Sequence, residues 1–176
     1  GVICFFPSYA YEDEVISHWE KNGTIRNIEQ HKKFFREPKT ANLVENVLLE
    51  YKRVINNNFA EEGKQYYFKG AILSCVVGGK MSEGINFSDG YGRCVIVAGL
   101  PYPNAQDPVL KEKIQYMASS KNKSNKQQQV NQAEQHEFMT NLCMKAVNQS
   151  IGRCIRHVND YATILLLDKR YENANI

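Results

Sequence analysis

Two guanidiniums and an amide recur at close spacing late in the chain, in Gln149-Ser-Ile-Gly-Arg153-Cys-Ile-Arg156. On a helix turning 100° per residue, Gln149, Arg153 and Arg156 fall at i, i+4 and i+7 and share one stripe. Cys143, Val147, Ile151, Cys154 and Val158 form a separate, apolar stripe. A guanidinium stays charged at any physiological pH and offers phosphate a planar fork of donors. Two of them one turn apart suit a grip on a polyphosphate. The competing reading makes them surface arginines paired to Asp or Glu.

A second stretch runs Gly78-Gly-Lys-Met-Ser-Glu-Gly84-Ile-Asn-Phe-Ser-Asp89. Its glycines let the backbone approach a ligand closely and present N–H donors. Ser82, Glu83, Asn86 and Asp89 add polar groups at short intervals. The Gly-x-x-x-x-Gly-Lys-Ser/Thr order of a Walker A loop is missing, so this is not by itself a triphosphate cradle. Alone it reads equally well as a turn rich in Gly and Ser.

The elements that must position these groups follow from the apolar pattern. Val2–Phe6, Ala71–Val77, Arg93–Gly99 and Thr163–Leu167 are short apolar runs bounded by turn residues, the pattern of buried strands. Lys33–Glu37 is a weaker strand. Between them lie amphipathic stretches. Ser8 caps a helix carrying Tyr11, Val15 and Trp19, with Glu12 and Asp13 near its positive end. Leu43 to Ile55 gives a strong helical stripe, and Asp107-Pro108 opens another helix with Leu110, Ile114 and Met117 inward. A long helix is expected from about Phe138 to Val158. Buried strands alternating with helices predict an α/β fold with a mostly parallel sheet covered on both faces. Ligands of such sheets bind beyond the carboxyl ends of the strands, here Pro7-Ser8-Tyr9, Val77 to Lys80, Leu100-Pro101-Tyr102 and Asp168-Lys169-Arg170.

The chain has 176 residues, 43% of them hydrophobic and 23% charged, which excludes disorder along its whole length. It reads as one domain over 1–176, interrupted by a flexible polar insertion at about 119–135, where almost nothing can be buried. Lys121, Lys123 and Lys126 there offer a basic arm as the alternative. A net charge of +3 does not by itself argue for nucleic acid. No run of about 18 apolar residues predicts a membrane span. The start, inside an apolar run and without Met, reads as part of a longer chain. Five cysteines with no close pair argue against a zinc ribbon or redox dithiol and for a reducing intracellular compartment.

Taken together, these blocks resemble the C-terminal motor domain of XPD-like iron–sulfur DNA helicases of superfamily two. Val-Ile-Cys-Phe-Phe-Pro-Ser-Tyr looks like motif IV, and Gly-Lys-Met-Ser-Glu-Gly-Ile-Asn-Phe-Ser-Asp like motif V. Gly-Arg-Cys-Val-Ile-Val-Ala-Gly-Leu-Pro-Tyr-Pro-Asn is similar to the strand that follows motif V. Ala-Val-Asn-Gln-Ser-Ile-Gly-Arg-Cys-Ile-Arg-His-Val-Asn-Asp-Tyr looks like motif VI. The blocks keep the family's order over residues 2 to 171. The wording of motif V and of Leu-Cys-Met-Lys-Ala-Val-Asn-Gln is closest to the branch associated with sister-chromatid cohesion.

The resemblance implies a RecA-like domain that acts as the second lobe of an ATP-dependent motor. Arg153 and Arg156 would reach ATP on the partner lobe, one as an arginine finger, with Gln149 linking motif VI to the nucleotide. Glu83, Gly84, Asn86 and Asp89 would lie toward the nucleotide. Ser82 and the backbone of Gly79 and Lys80 would face the DNA strand, with Ser8 and Tyr9 as further contacts. Many members carry Asp where this chain has Asn86, which can still hydrogen-bond but brings no charge. No metal site is expected in the chain itself. The resemblance implies ATP and magnesium at the interface with an N-terminal lobe, and an iron–sulfur cluster in that missing part only. It further implies single-stranded or forked DNA, unwound 5′ to 3′, as substrate. Chromosome-cohesion or repair proteins are the implied partners, the nucleus is the implied location, and no membrane is involved. Rival readings are a non-enzymatic module binding nucleic acid or protein, and the lobe of an RNA helicase.

Overall fold

The computed structural model describes residues 1–56, 68–81, 84–121 and 132–172. Five strands form one parallel sheet: β1 (Val2–Phe6), β2 (Lys33–Arg36), β3 (Ala71–Val76), β4 (Cys94–Ala98) and β5 (Thr163–Leu167), in the order β2-β3-β1-β4-β5. The helices are α1 (Tyr9–Lys21), α2 (Thr24–Glu29), α3 (Val44–Ile55), α4 (Pro108–Lys121) and α5 (Gln132–Ile151). This is the expected RecA-like α/β architecture.

The alternation of side chains along β1 divides the core between two faces. Ile3 and Phe5 pack with Leu73, Cys75, Val95 and Val97 of the flanking strands, and Tyr51 and Val54 of α3 and Val147 of α5 cover that face. Burying a side chain such as Phe5 contributes about 1.5–3 kcal/mol. On the opposite face Phe6 makes ring contacts with Tyr11 and Trp19 of α1. Covering both faces is why β1 and β3 are apolar without alternation.

Capping follows the sequence. Ser8 Oγ accepts the Tyr11 N–H at 3.2 Å, and Asp107 Oδ1 accepts the Leu110 N–H at 3.0 Å. Four details differ from expectation. The buried positions of α1 are Glu12 and Ile16, with Tyr11 exposed. Glu12 therefore does not sit at the helix end in water. It enters the core, where Arg36 and Ser74 bind it. Among the described side chains of α4 only Leu110 is buried, and Met117 of the expected inner face is exposed. The last strand, expected to be buried, is an edge strand whose Ile164, Leu165, Leu166 and Leu167 are all exposed. Its apolar run states what it can bury, not what covers it.

The fourth difference is α5. It begins at Gln132 and ends at Ile151, earlier at both ends than the expected helix. The helix backbone thus occupies both ends of the expected insertion, at 119–121 and 132–135; residues 122–131 lie outside the described residues. Among the described residues no helix is long and apolar enough to cross a membrane.

Candidate functional site

The carboxyl ends of β1, β3 and β4 open onto a cleft of about 500 Å³. Pro7 follows β1, Val77 and Gly78 follow β3, and Pro101 and Tyr102 follow β4. Gln149 and Arg153 close the cleft from α5 and the turn after it. Among the described residues no Asp or Glu lines it, and the one formal charge they bring is the Arg153 guanidinium. A cleft of this kind favours an anion and supplies no carboxylate to a magnesium ion. The β4 side is braced from the far end of the chain. Tyr102 meets Thr140 at 3.3 Å, and the Arg170 guanidinium lies 5.8 Å from the Tyr102 ring centre. Asp168 holds Arg170 through contacts of 2.9 and 2.6 Å, and Arg170 in turn brings the Asp168 carboxyl down to about 2.

The helix that carries Gln149 stops before both arginines. Gly152 weakens it, and the N–H groups of Arg153 and Cys154 close tight turns onto Ser150 and Ile151. The Arg153 carbonyl then accepts the Phe87 N–H at 2.9 Å, so a strand-like contact replaces the next helical bond. Cys154 seats against Gly92, where an added Cβ would stand 2.5 Å from the Phe87 carbonyl oxygen and 3.0 Å from the Cys154 side chain. Gln149, Arg153 and Arg156 therefore do not share one helical stripe. That expectation assumed a helix continuous to Val158, which is instead 97% exposed.

Arg156 belongs to a second constellation, outside the cleft lining. Its N–H donates to Asp160 Oδ2 at 3.2 Å. Asp160 also accepts from Arg93 at 2.7 Å, from the Tyr161 N–H at 3.0 Å and from the Asp89 N–H. Burial pushes the Asp160 carboxyl up, but Arg93 and the three N–H donors prevail and hold it below the usual carboxylate range. Asp89 takes a left-handed φ of 58° and its Oδ1 meets His157 Nε2 at 3.1 Å. The ligand atoms of Asp89, His157 and Asp160 lie within 4.8 Å of one another. Arg93 already supplies the positive charge there, and the Asp160 oxygens are taken, so the cluster is a hydrogen-bonded hub rather than a metal centre. Among the described residues neither Arg153 nor Arg156 has a carboxylate partner.

The glycine-rich turn leaves β3 between these two regions. Gly78 and Gly84 adopt φ of 73° and 78°, which the absence of a Cβ permits. Ser82 and Glu83 lie outside the described residues. Lys80 is exposed, with its ammonium on the Lys39 carbonyl. Asn86 is exposed and its Oδ1 accepts the Ser88 N–H at 3.1 Å. Ser8 is engaged as a helix cap, and the Tyr9 hydroxyl donates to Glu37 at 2.9 Å. Gly84, Asn86 and Asp89 are not among the residues lining the cleft. Sequence reasoning missed Glu37, Glu12 and Asp160. The one available signal was the Gly78-Gly79 pair, which asks for something in close contact with its backbone.

A family model described as a helicase C-terminal domain matches residues 1–176. The chain belongs to that family. This helicase C-terminal domain is 48% identical over 176 residues to the ATP-dependent DNA helicase DDX11 of Mus musculus, covering all of this chain and 19% of that protein. It is 47% identical to the ATP-dependent DNA helicase CHL1 of Candida albicans, covering all of this chain and 20% of that protein. A solved XPD apo structure superimposes with a TM-score of 0.65 at 26% identity, over 98% of this chain and 29% of the other. The Xpd4 structure of S. tokodaii, at 22% identity, shares the fold with a TM-score of 0.53 over 98% of this chain and 27% of the other. The helicase C-terminal domain thus spans about a fifth of the length of the curated relatives it matches. The resemblance to XPD-like helicases, in the branch of DDX11 and CHL1, holds across the whole chain.

Proposed function

We propose that this chain is the second motor lobe of an ATP-dependent DNA helicase and that its cleft takes the phosphate end of ATP held by a partner lobe. The observation that carries this reading is Arg153 standing with Gln149 over a cleft that has no carboxylate among its described lining residues. Such a wall suits a polyphosphate. Arg153 and Arg156 meet it from different directions, Arg153 from the cleft and Arg156 from the Asp160 hub beside it. Lobe closure brings positive charge to the transferring phosphoryl group, where an arginine finger is worth about 10³ to 10⁵ in rate. Opening after hydrolysis moves the lobe along the strand. Gly84, Asn86 and Asp89 face the nucleotide from the hub side, and Glu83 is assigned to the same nucleotide by the family resemblance alone.

The glycine-rich turn and the start of α1 supply the strand contacts, through Ser8, Tyr9, the backbone of Gly79, both the backbone and the ammonium of Lys80, and Ser82. Names of relatives as ATP-dependent DNA helicases favour DNA over RNA, and a motor over a passive binding module. Among the described residues the cleft offers magnesium no carboxylate, so we place its ligands on the N-terminal lobe. The cysteines here do not fit an iron–sulfur cluster, because no four-thiol group occurs among the described residues. We place that cluster in the rest of the parent as well. Single-stranded or forked DNA, cohesion or repair proteins, and a nuclear location complete the reading.

The test is Arg153→Lys in the full-length protein. Lysine keeps the charge and loses the fork. The ATPase rate is expected to fall at least ~100-fold, just below the arginine-finger range. DNA affinity and melting temperature should change little, because the contact matters most in the transition state. Arg156→Lys is expected to behave similarly, with ATP binding nearer normal. Normal turnover with a lowered melting temperature would make these arginines structural.

A further inference from the structure

Glu37 is a buried carboxylate, 4% exposed, with no cation among its described partners. It stands directly after β2, where its N–H prolongs the ladder onto the Ser74 carbonyl at 2.8 Å. Its two oxygens take donors from two separate segments. Oε2 accepts the Val76 N–H at 2.8 Å, while Oε1 accepts the Met81 N–H at 3.1 Å and the Tyr9 hydroxyl at 2.9 Å. The turn from Val76 to Met81 is thus wrapped around the carboxylate, entered and left by bonds to it.

The wrapping is tight. A Cβ at Gly79 would stand 2.5 and 2.8 Å from the two Glu37 oxygens. This accounts for glycine at that position independently of any ligand. A second clasp comes from the same segment, where the Lys39 carbonyl receives the Lys80 ammonium. Burial and the Glu37 bond together push the Tyr9 hydroxyl up to about 12, so the phenol keeps its proton and donates it to Glu37 near neutral pH. Burying a carboxylate without a counter-ion costs stability unless its hydrogen bonds are good, and an apolar side chain would pack there more cheaply. What the carboxylate gives in return is shape. It fixes the glycine-rich turn and ties it to the first residue of α1.

Both tied segments lie at the functional edge. Val77 and Gly78 line the cleft from one side of the turn, and Lys80 is exposed on the other. Pro7, two residues before Tyr9, lines the same cleft. We propose that Glu37 is a positioning residue that holds the Gly78–Met81 turn and Tyr9 in the single arrangement that meets the DNA strand. This rests on the reading above that the turn and Tyr9 contact that strand.

The experiment uses the full-length protein and three variants, Glu37→Gln, Glu37→Asp and Lys80→Ala. The glutamine keeps the shape but turns an NH2 group toward one of the donors. Aspartate keeps the charge but is one methylene too short to reach both segments. Affinity is read with a fluorescent oligothymidylate at constant salt, since phosphate contacts are salt-dependent. ATPase is read with and without that strand. Glu37→Gln and Glu37→Asp are each expected to weaken strand binding about tenfold, the scale of one lost charge-assisted bond. The ATPase without DNA should stay within about twofold, and more strand should be needed for half-maximal stimulation. Lys80→Ala should weaken binding too. If Lys80→Ala weakens binding and both Glu37 variants bind normally, the positioning role is overturned while the strand reading stands. If Lys80→Ala binds normally, the strand reading itself fails. A Glu37 variant that loses basal ATPase and melting temperature in parallel with strand affinity would show a merely structural residue and would overturn the proposal.

Discussion

Single residues at this edge act through carboxylates whose partners are far away in sequence. Glu12 binds Arg36 and Ser74, Glu37 binds Val76, Met81 and Tyr9, and Asp160 binds Arg93 and Asp89. Asp168 differs in that its partner, Arg170, is two residues on. The side chain of Arg170 and then its N–H hold the Asp168 carboxyl at about 2, below the ordinary value of 3.8. Its folded-state value is depressed, so its contribution is complete above the unfolded value. It is lost as pH falls from near 4 toward 2. In Asp168→Asn that part of the acid-side loss should disappear. Melting curves between about pH 5 and pH 2.5 check this, and an unchanged acid slope would mean that the pair stabilises nothing. The three distant carboxylates were not legible in the sequence. An acid on an amphipathic helix or after a strand looks solvated until its partner is placed. The guanidiniums and glycines were legible because their chemistry is carried by residue type.

At the scale of elements, sequence pattern told what each segment is but not always where it stops. β1, β3 and β4 were legible because runs such as Val2–Phe6 are apolar without alternation and end at Pro or Gly. The end of α5 was not, because it depends on the Phe87 N–H taking the Arg153 carbonyl from another segment. The exposure of β5 escaped for a similar reason, since edge position is a property of the sheet. This junction between the segment after the glycine-rich turn and the end of α5 is tight enough to test. A methyl group at Gly92 would meet the Phe87 carbonyl oxygen, which is backbone and yields little. Gly92→Ala is therefore expected to cost about 1–3 kcal/mol, the usual penalty of overpacking. Urea unfolding measures it. Because the displaced contact carries Arg153, ATPase in the full-length protein should fall further than stability alone explains. A variant of normal stability would show that Phe87 and Cys154 can move apart freely.

The second-lobe proposal gives the whole molecule one side of a reaction site. Its cleft presents Arg153 and Gln149 from one wall and prolines and a tyrosine from another, with no carboxylate among the described lining residues and no Walker A sequence anywhere in the chain. Donors that stabilise a transferring phosphoryl group do not by themselves position a nucleotide, orient water or bind magnesium. The cleft is also open to solvent, and a guanidinium in water stabilises developing charge far less than one in a closed, dry site. Residues 1–176 alone are therefore expected to show no magnesium-dependent ATP turnover above background. Their binding to an oligothymidylate should be weak, to fall steeply as salt rises, and to be indifferent to base sequence, because the available donors are a lysine, hydroxyls and backbone N–H groups. Adding the N-terminal lobe as a separate chain should restore some turnover, and Arg153→Lys in the 176-residue chain should abolish that gain. Robust hydrolysis by the 176 residues alone would mean that the cleft is a complete site and would overturn the two-lobe reading. Failure of the added lobe to restore any turnover, with both chains folded, would instead show that covalent linkage supplies the closing geometry, because association would then be too weak to bring Arg153 to the phosphate.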